Sequence, residues 1–444
     1  MVKLKTEKIS NLKINKLSET QYERELAAGN INENELYLTP DEGLPYHLHE
    51  IEDVNGLEEA LKGSSGGGVG KSGTGTNSEI FNDYNNNTAS GYSSHAEGLN
   101  TEASGYVSHT EGYQTVASEY ASHAEGAATN ASGEASHAEG YCTVAYGSYG
   151  SHAEGHSTVS SGSGSHAEGY DTEASGEASH AEGYYSKASV IGSHAEGYRA
   201  NALAEASHAE GSYTKASGIH SHAEGSNTTA SGRSSHAEGG SSNSLPSSIT
   251  SSSNNNDIIN TWNSKKFTLA KGEGSHAEGK NTLALGEGAH AEGGYTIASG
   301  LGSHAEGYHT TASGYCSHAE GYHTTASGDY SHAEGSYTTA SGDYSHAEGY
   351  YTIASGDNQR VQGKYNIEDT ENKYAHIVGN GYYHYESYAN IYSNAHTLDW
   401  DGNAWFAGDV QVTAPDGTTV SVLALLEEIN TLKSTITSLQ GDGN

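Results

Sequence analysis

A pentapeptide, Ser-His-Ala-Glu-Gly, recurs along this chain about every fourteen residues, and no other feature constrains the fold as strongly. Its His-x-Glu-Gly part occurs seventeen times, and only one copy replaces the central Ala, with Thr110. The repeat histidines are His95, His109, His123, His137, His152, His166, His180, His194, His208, His222, His236, His276, His290, His304, His318, His332 and His346. A unit this short cannot enclose a core by itself, so each copy is predicted to form one turn of a solenoid that packs against its neighbours.

The full repeat reads Ser-His-Ala-Glu-Gly-Tyr-x-Thr-x-Ala-Ser-Gly-x-x and is clearest from Ser345 to Asn358. Successive strand residues point to opposite faces, so His346 and Glu348 share one face while the small residues share the other. Thr352 to Gly356 continues the pattern with a second small-residue strand. The chain has 58 Gly but only 3 Phe, 3 Trp and 1 Met. We therefore predict an all-β fold, a narrow parallel β-roll stabilised by backbone hydrogen bonds and by contacts between chains.

The repeat is interrupted once, between His236 and His276, which are separated by two periods plus twelve residues. Counting back from His276 places Thr261 to Lys265 in the pentapeptide position and Thr268 to Gly272 in the second strand. The β-roll is therefore predicted to continue through the interruption. The twelve extra residues are predicted to form one loop over residues 245–257, which are rich in Ser and Asn.

Both ends of the repeat region are irregular, as expected where a solenoid must cover an unpaired sheet edge. Phe81 and Asp83 take the His and Glu positions in a predicted first turn, and Phe81 with the Asn-rich segment Asn82 to Asn87 forms a predicted cap. Arg360 and Gln362 take the same positions in a predicted last turn. This phasing predicts about 20 turns, which at ~4.8 Å per strand give a rod roughly 90 Å long.

The repeat resembles the left-handed β-roll of YadA-like heads in trimeric adhesins, over about residues 79–363. That family uses a Ser-Val-Ala-Ile-Gly turn followed by the same small-residue second strand. The resemblance implies a homotrimeric left-handed parallel β-roll in which the apolar pair of each turn faces the trimer axis. In this chain the pair is His and Glu at nearly every turn.

The resemblance therefore predicts polar pairs at the trimer axis that hydrogen-bond between chains. These pairs include His95 and Glu97, His123 and Glu125, His166 and Glu168, His208 and Glu210, His290 and Glu292, His332 and Glu334, and His346 and Glu348. Unpaired charges are costly in a partly dry space, whereas paired ones are tolerated. A histidine beside a carboxylate is expected to have a raised pKa. The alternative is that both residues are solvated on the outer face.

Catalysis, metal binding and nucleic-acid binding are not predicted for the β-roll. An isolated His-x-Glu offers too few ligands for zinc, and paired catalytic carboxylates would stand out as a local break in the pattern. The formal net charge is −36, and charging all seventeen repeat histidines would still leave −19. No basic stripe is present to neutralise phosphates. The chain is therefore predicted not to be an enzyme and not to bind nucleic acid.

Residues 1–62 are predicted to form a virion-attachment module, since Ile14 to Leu17 and Asn34 to Leu38 resemble a short attachment segment of phage fibres. His47 and His49 lie in a segment that resembles the His-x-His linker of tail fibres. Three chains would present six imidazoles there, an octahedral set suited to iron or another transition metal such as nickel. An exposed histidine pair ahead of a helix, which needs no ligand, is the alternative. Residues 63–77, rich in Gly and Ser, are predicted to be a flexible linker.

The predicted β-roll spans residues 78–364, and residues 365–414 form a predicted C-terminal β segment. Ala375 to Gly379 resembles one more turn, and Trp400, Trp405 and Phe406 are expected to be core residues rather than a binding platform. Residues 415–444 are predicted to form a coiled-coil trimerisation helix. Its seam residues are Val422, Leu425, Ile429, Leu432, Ile436 and Leu439.

No transmembrane-length or signal-like segment is visible, and Cys142 and Cys316 lie too far apart in the rod to form a disulfide. We therefore predict a structural phage fibre protein, assembled in the host cytoplasm and carried on the virion. It would contact other tail or capsid proteins through residues 1–62 and support or perform host-surface attachment. The alternatives are a bacterial trimeric surface adhesin exported by an unrecognised route and an enzyme that degrades capsule, which the narrow roll disfavours.

Three surfaces are candidates for receptor binding, with glycans as one candidate receptor. They are the loop over residues 245–257, the outward tyrosines and the C-terminal tip. The tyrosines are Tyr184, Tyr185, Tyr350 and Tyr351. Repeated Tyr side chains suit stacking on sugar rings, but they also form ladders that simply cover neighbouring turns.

Overall fold

The computed structural model describes residues 13–16, 35–38, 71–81, 86–250, 252–413 and 417–441. The chain divides into two units, residues 1–71 and 72–444. In the first unit, the strands Lys13–Lys16 and Glu35–Leu38 pair in parallel. His47 and His49, the predicted metal ligands, lie outside the described residues.

The second unit is a parallel β-solenoid of about 21 turns, in agreement with the predicted repeat fold. Each turn contributes one strand to a long-strand sheet and one to a short-strand sheet. Strands of neighbouring turns pair so that each residue lies opposite the equivalent residue of the next repeat, as His123 lies opposite His137 in the long-strand sheet. In the short-strand sheet, Val144 lies opposite Val159. Identical positions therefore form straight columns along the solenoid.

The long strands are Glu79–Phe81, His95–Glu97, His109–Thr110, His123–Ala127, His137–Tyr141, His152–His156, His166–Tyr170, His180–Tyr184, His194–Tyr198, His208–Ser212, His222–Ser226, His236–Gly240, His276–Lys280, His290–Gly294, His304–Tyr308, His318–Tyr322, His332–Ser336, His346–Tyr350, Arg360–Lys364 and Tyr374–Asn380. The short strands are Thr88–Ala89, Glu102–Ala103, Val116–Ala117, Asn130–Ala131, Val144–Ala145, Val159–Ser160, Glu173–Ala174, Lys187–Ala188, Asn201–Ala202, Lys215–Ala216, Thr228–Ala230, Thr268–Ala270, Leu283–Ala284, Ile297–Ala298, Thr311–Ala312, Thr325–Ala326, Thr339–Ala340 and Ile353–Ala354. A further two-residue strand is Lys71–Ser72.

In the regular repeats the interior contains small side chains, as the alternation predicts, and larger ones such as Val361 and Ile377 enter it only in the terminal turns. In the turn that begins at Ser331, the inward Ala333, Thr338 and Ala340 are fully buried. Ser331 donates its hydroxyl hydrogen to the carbonyl oxygen of Gly328 at 2.7 Å, so its buried Oγ is satisfied. At Gly328 an added Cβ atom would lie 2.0 Å from the carbonyl oxygen of Gly342 in the next turn, so the close approach of adjacent backbones excludes a larger residue there.

The interruption of the repeat is an insertion within one turn, and the prediction of an extra turn there is wrong. His236–Gly240 pairs directly with His276–Lys280, so no strand lies between them. The segment predicted as a strand, residues 261–265, belongs mainly to helix α1, Asn255–Ser264. Asn254 caps this helix by accepting a hydrogen bond from the backbone N–H of Asp257 at 2.9 Å. The second-strand prediction is confirmed, since Thr268–Ala270 pairs with Thr228–Ala230.

Helix α1 packs on the outer side of the short-strand sheet. Its buried Ile258 and Trp262 contribute to an apolar cluster with Leu269, Leu283 and Ile297, which point outward from three successive short strands. The same position is polar in many other turns, for example Glu, Lys, Asn or Thr. Three large apolar residues in this column therefore mark where the helix lies.

The first turn has a different register from the predicted one. Glu79 lies opposite His95 and Phe81 opposite Glu97, so Phe81 takes the Glu position and not the His position. Asp83 lies outside the described residues. Hydrogen bonds of the solenoid begin upstream of residue 78, because Gly75 N–H donates to the Ala89 carbonyl oxygen at 3.2 Å.

At the other end of the solenoid, the predicted positions of Arg360 and Gln362 are confirmed, but their turn is not the last, because one more parallel strand follows at Tyr374–Asn380. Arg360 lies opposite His346, and His376 continues the parallel sheet opposite Arg360. The sheet then changes direction, because Tyr374–Asn380 also pairs antiparallel with Asn394–Asp399, which in turn pairs with Ala404–Phe406. These antiparallel strands cover the edge of the last turn.

Two hairpins and a helix complete the described chain. The hairpins are Tyr382–His384 with Ala389–Ile391, and Gln411–Thr413 with Thr419–Ser421. Helix α2 spans Val422–Gly441. Trp400, Trp405 and Phe406 are 48–56% exposed, so their assignment to a core is wrong for the single chain.

The predicted coiled-coil seam lies on helix α2 without cover from the rest of the described chain. Its first five members are each 43–61% exposed: Val422, Leu425, Ile429, Leu432 and Ile436. Leu439, the sixth, lies beyond the part of the helix whose side chains are described. The exposed apolar seam is available for contact with another chain.

Candidate interaction surfaces

The seventeen repeat histidines form one column, here called the His column, on the outward face of the long-strand sheet. In-register parallel pairing places equivalent rings one strand spacing apart. From His109 to His332 successive rings lie 4.6–4.8 Å apart and within 8° of parallel. Only the two ends deviate, with ring planes 86° apart for His95 and His109 and 53° apart for His332 and His346.

Each histidine of the column lies beside the glutamate two residues further along the same strand. In most turns the His Nε2 to Glu Oε2 distance is 3.5–3.9 Å, which is too long for a good hydrogen bond. The pair His346 and Glu348 is closer, at 3.2 Å. All the pairs predicted for the trimer axis therefore lie on one face of the chain.

The ring nitrogens of the His column are not satisfied within the described chain. In every member except His95, Nε2 is buried and has no hydrogen-bond partner, although the side chains that face glutamates remain about one third exposed, 29–36%. A buried polar atom without a partner costs free energy, so a native environment is expected to supply one. The Nε2 atoms without hydrogen-bond partners form a row along most of the solenoid.

The expectation that the neighbouring carboxylates raise the histidine pKa values is wrong for the single chain. For His166, burial lowers the pKa below its ordinary value, and the rings of His152 and His180 lower it further. The nearby carboxylates act in the opposite direction but less strongly. The same direction holds for His109, His123, His152, His194, His208, His222, His276, His304, His318 and His346.

Successive turns also bring together sets of two histidines and one glutamate, such as His123, Glu125 and His137, whose donor atoms lie within 4.8 Å of one another. A metal ion binds imidazole in the ring plane, along the nitrogen lone pair. The two rings are parallel, 5° apart, and 4.7 Å apart, so one ion cannot lie in both ring planes. Each set therefore offers a single ion one His and one Glu, which is fewer than zinc requires.

A second set of columns consists of aromatic rings at the bends that follow the long strands. One continuous stack contains Tyr295, His309, His323, Tyr337, Tyr351 and Tyr365, with centroids 4.5–5.0 Å apart. Tyr184 lies in another stack, 4.8 Å from Tyr170 and 5.3 Å from Tyr198, and Tyr185 packs edge-on against it. The tyrosines singled out in the sequence therefore do cover neighbouring turns, as the ladder interpretation predicts.

The stack ends in an open cavity of about 570 Å³, here called the Tyr cleft. Its lining residues are Tyr350, Tyr351, Lys364, Tyr365, Tyr382, Tyr383, Tyr385 and Asn390. Tyr365 is only 3% exposed, whereas Tyr385 is 80% exposed. Burial, with a hydrogen bond to Tyr350, raises the pKa of Tyr365. The Tyr365 phenol is therefore protonated at neutral pH and able to donate a hydrogen bond.

Sequence reasoning found Tyr350 and Tyr351 but missed the other half of the Tyr cleft. Tyr382, Tyr383 and Tyr385 belong to the hairpin after the last turn, outside the repeat. The aromatic run from Gly381 to Tyr385 is the signal that could have indicated them. The candidate loop was predicted over residues 245–257, but residues 255–257 already belong to helix α1, whose apolar residues pack on the solenoid.

Comparison with known families finds the YadA head domain repeat in three consecutive segments, residues 277–303, 305–331 and 333–358. No curated protein sequence matches the chain significantly. None of the helices among the described residues is long and apolar enough to span a membrane. The chain thus carries YadA head repeats, and these repeats fold as turns of a parallel β-solenoid.

Proposed function

We propose that the protein is a homotrimeric, adhesin-type fibre that supports or performs attachment to a cell surface. The observation that carries the proposal is the match of residues 277–358 to YadA head repeats within a solenoid of about 21 turns. The resemblance to trimeric adhesin heads adds the expectation of three chains. In this proposal the solenoid is a structural shaft without a catalytic role.

Two surfaces of the single chain support an assembly of several copies. Buried Nε2 atoms of the His column lack partners, and a glutamate from another chain would supply an acceptor for each N–H donor. The half-exposed carboxylates of the same face, such as Glu125 and Glu168, are suitably placed. The apolar seam of helix α2 is exposed in the single chain and would be buried in a coiled coil. We propose that both surfaces face the trimer axis.

The two settings for such a fibre are the virion of a phage and the surface of a bacterium. The N-terminal segments resemble phage fibre modules, and this favours a fibre that is assembled in the host cytoplasm, joined to tail or capsid proteins and directed at a host receptor. The YadA repeats fit a bacterial surface adhesin equally well. A transition metal held by His47 and His49 stays a prediction for the phage setting.

Light scattering coupled to size exclusion tests the trimer. The mass expected is three times the chain mass of 46.3 kDa, and a monomer would contradict the proposal. Cryo-electron microscopy of the parent particle or cell then decides the setting. A three-fold rod joined to a phage tail or capsid supports the virion setting, whereas a rod on a bacterial envelope supports the surface adhesin.

A pair of matched variants tests whether the His column faces the axis. One variant carries His304→Lys, His318→Lys and His332→Lys. The control carries lysine on the other sheet of the same three turns, as Thr311→Lys, Thr325→Lys and Thr339→Lys; these threonines are half-buried and point outward. Three added charges per layer at a dry axis should dissociate the trimer, whereas outward lysines should not. Equal trimer content in both variants would refute the axial placement.

A further inference from the structure

We propose that the Tyr cleft binds a neutral oligosaccharide, which deepens the proposed function by naming the surface and the ligand class used in attachment. A role of the Tyr cleft in attachment rests on the proposed function. Binding of sugar to the isolated protein does not rest on it and is measured separately.

The Tyr cleft has two walls that belong to different parts of the fold. The first consists of the last rings of the solenoid, where Tyr351 stacks on Tyr365 at 4.9 Å and Tyr350 packs edge-on against it at 5.3 Å. The second is the hairpin, in which Tyr383 and Tyr385 pack at right angles, 5.1 Å apart. The volume of about 570 Å³ lies within the usual range of roughly 300–1,000 Å³ for small-molecule sites.

The hairpin wall is held in place by backbone hydrogen bonds to the solenoid. Gly381 N–H donates to the Lys364 carbonyl oxygen at 3.0 Å, and Ser393 N–H donates to the Tyr365 carbonyl oxygen at 2.9 Å. At Gly381 a Cβ atom would lie 2.1 Å from the Ile391 carbonyl oxygen and 2.5 Å from that of Tyr365, so only glycine permits this approach. A cleft formed in advance loses less conformational entropy on binding.

Ladder formation does not account for the hairpin tyrosines. Within the solenoid, many aromatic rings cover a ring of the next turn, as in the stack from Tyr295 to Tyr365. Tyr382 and Tyr385 lie outside the repeat and are 50% and 80% exposed. Exposed aromatic rings that converge on a cavity are typical of binding surfaces, since tyrosine supplies an apolar face and a hydrogen-bonding hydroxyl.

The lining chemistry favours a neutral sugar over other ligands with flat or ring-shaped groups. Pyranose rings present C–H faces that pack on tyrosine and hydroxyls that bond to phenols and amides. Asn390 supplies an amide, whose Nδ2 also reaches the Tyr392 hydroxyl at 3.3 Å. Lys364 is the one cation among the described lining residues, and the chain carries a net charge of −36. A polyanion such as single-stranded nucleic acid would be repelled by the chain as a whole.

Isothermal titration of the purified full-length protein with hexasaccharides of glucose, mannose, galactose and N-acetylglucosamine tests the proposal. We expect saturable binding of at least one hexasaccharide. Tyr383→Ala and Tyr385→Ala should each raise its Kd by about tenfold, the effect of truncating an aromatic anchor. The matched control is Tyr149→Ala, because Tyr149 is 75% exposed but does not line the Tyr cleft. Circular dichroism and light scattering check that each variant folds and assembles like the wild type.

Several outcomes would overturn the proposal. These are no saturable binding of any of the four probes, an equal loss in Tyr149→Ala, a preference for a sulfated hexasaccharide or single-stranded DNA, and loss of trimer in Tyr385→Ala. The last would show that another chain covers the Tyr cleft. Cell-attachment assays separate the two proposals. A Tyr385→Ala fibre that attaches normally refutes only the use of the Tyr cleft in attachment. Sugar binding by a protein that never attaches to cells refutes the adhesin function alone.

Discussion

Two adjacent glycines offer a direct test of how tightly successive turns pack. Gly239 has a φ of +102°, and a Cβ atom there would lie 2.6 Å from the carbonyl oxygen of Gly279 in the next turn. Its neighbour Gly240 has no atom within 4 Å of an added Cβ and no positive φ. Alanine at Gly239 should therefore disrupt the solenoid, whereas alanine at Gly240 should be tolerated.

The expected cost of Gly239→Ala has two parts. A non-glycine residue in a disfavoured positive-φ conformation costs about 1–3 kcal/mol. Forcing an extra methyl group into a packed contact costs about 1–3 kcal/mol more. Together these give about 2–6 kcal/mol per chain, a large share of the roughly 5–15 kcal/mol that stabilises a typical domain.

Hydrogen exchange with urea unfolding measures both the size and the place of the effect. Solenoid stability is approximately a sum over turns and their contacts, so protection should fall mainly at His236–Gly240 and His276–Lys280. Gly240→Ala should stay within about 1 kcal/mol of the wild type. Equal stability of the two variants, or a loss spread evenly over all turns, would refute the close-packing account.

Acidification should destabilise the solenoid. Burial lowers the pKa of most of the His column below the ordinary value of 6.5, so the folded chain binds fewer protons than the unfolded chain. The His contribution to stability is therefore complete above about pH 6.5 and is lost as the pH falls below that value. Urea unfolding midpoints measured from pH 8 to pH 5 check this. A midpoint that rises on acidification would contradict it. Trp262→Ala should cost about 3–5 kcal/mol, because the side chain is only 3% exposed in the cluster beneath helix α1. Hydrogen exchange should then increase in residues 255–264 while the His column stays protected, and Lys265→Ala, at an exposed position, serves as the control.

The interruption of the repeat shows where phasing by sequence stops being reliable. Counting residues placed Thr261 to Lys265 on a strand, although Asn254 and Asp257 form a helix cap and Ile258 and Trp262 follow helical spacing. Local helix signals and an apolar surface on three neighbouring turns outweighed the count. The column of Leu269, Leu283 and Ile297 was readable in the sequence, but its meaning depends on which turns stack on each other.

The histidine pKa values illustrate a second limit. In the sequence each histidine appears beside one glutamate, and this pattern alone predicts a raised pKa. In the structure most of these rings are also stacked between two other histidines and partly removed from water, as His166 is between His152 and His180. Desolvation and neighbouring rings then dominate over the carboxylate, and neither is visible from the spacing within a single repeat.

The Tyr cleft was missed because its two walls have different origins in the chain. Tyr350 and Tyr351 belong to the repeat and were identified by their period. Tyr382 to Tyr385 have no period, and they reach the cavity only because Gly381 lets the hairpin approach Tyr365 closely. Proximity of this kind depends on backbone geometry after the last turn.

The sequence by itself determined the parallel solenoid, its small-residue interior and the single outward face shared by His and Glu, because a short exact repeat allows only one side-chain alternation and one register. The tertiary structure alone decided that the insertion contains a helix packed on the short-strand sheet, that burial lowers the pKa of most of the stacked histidines, and that a Tyr-lined cleft forms beside the last turns. Each of these depends on which residues meet across turns or beyond the repeat, where burial and close packing outweigh local pattern.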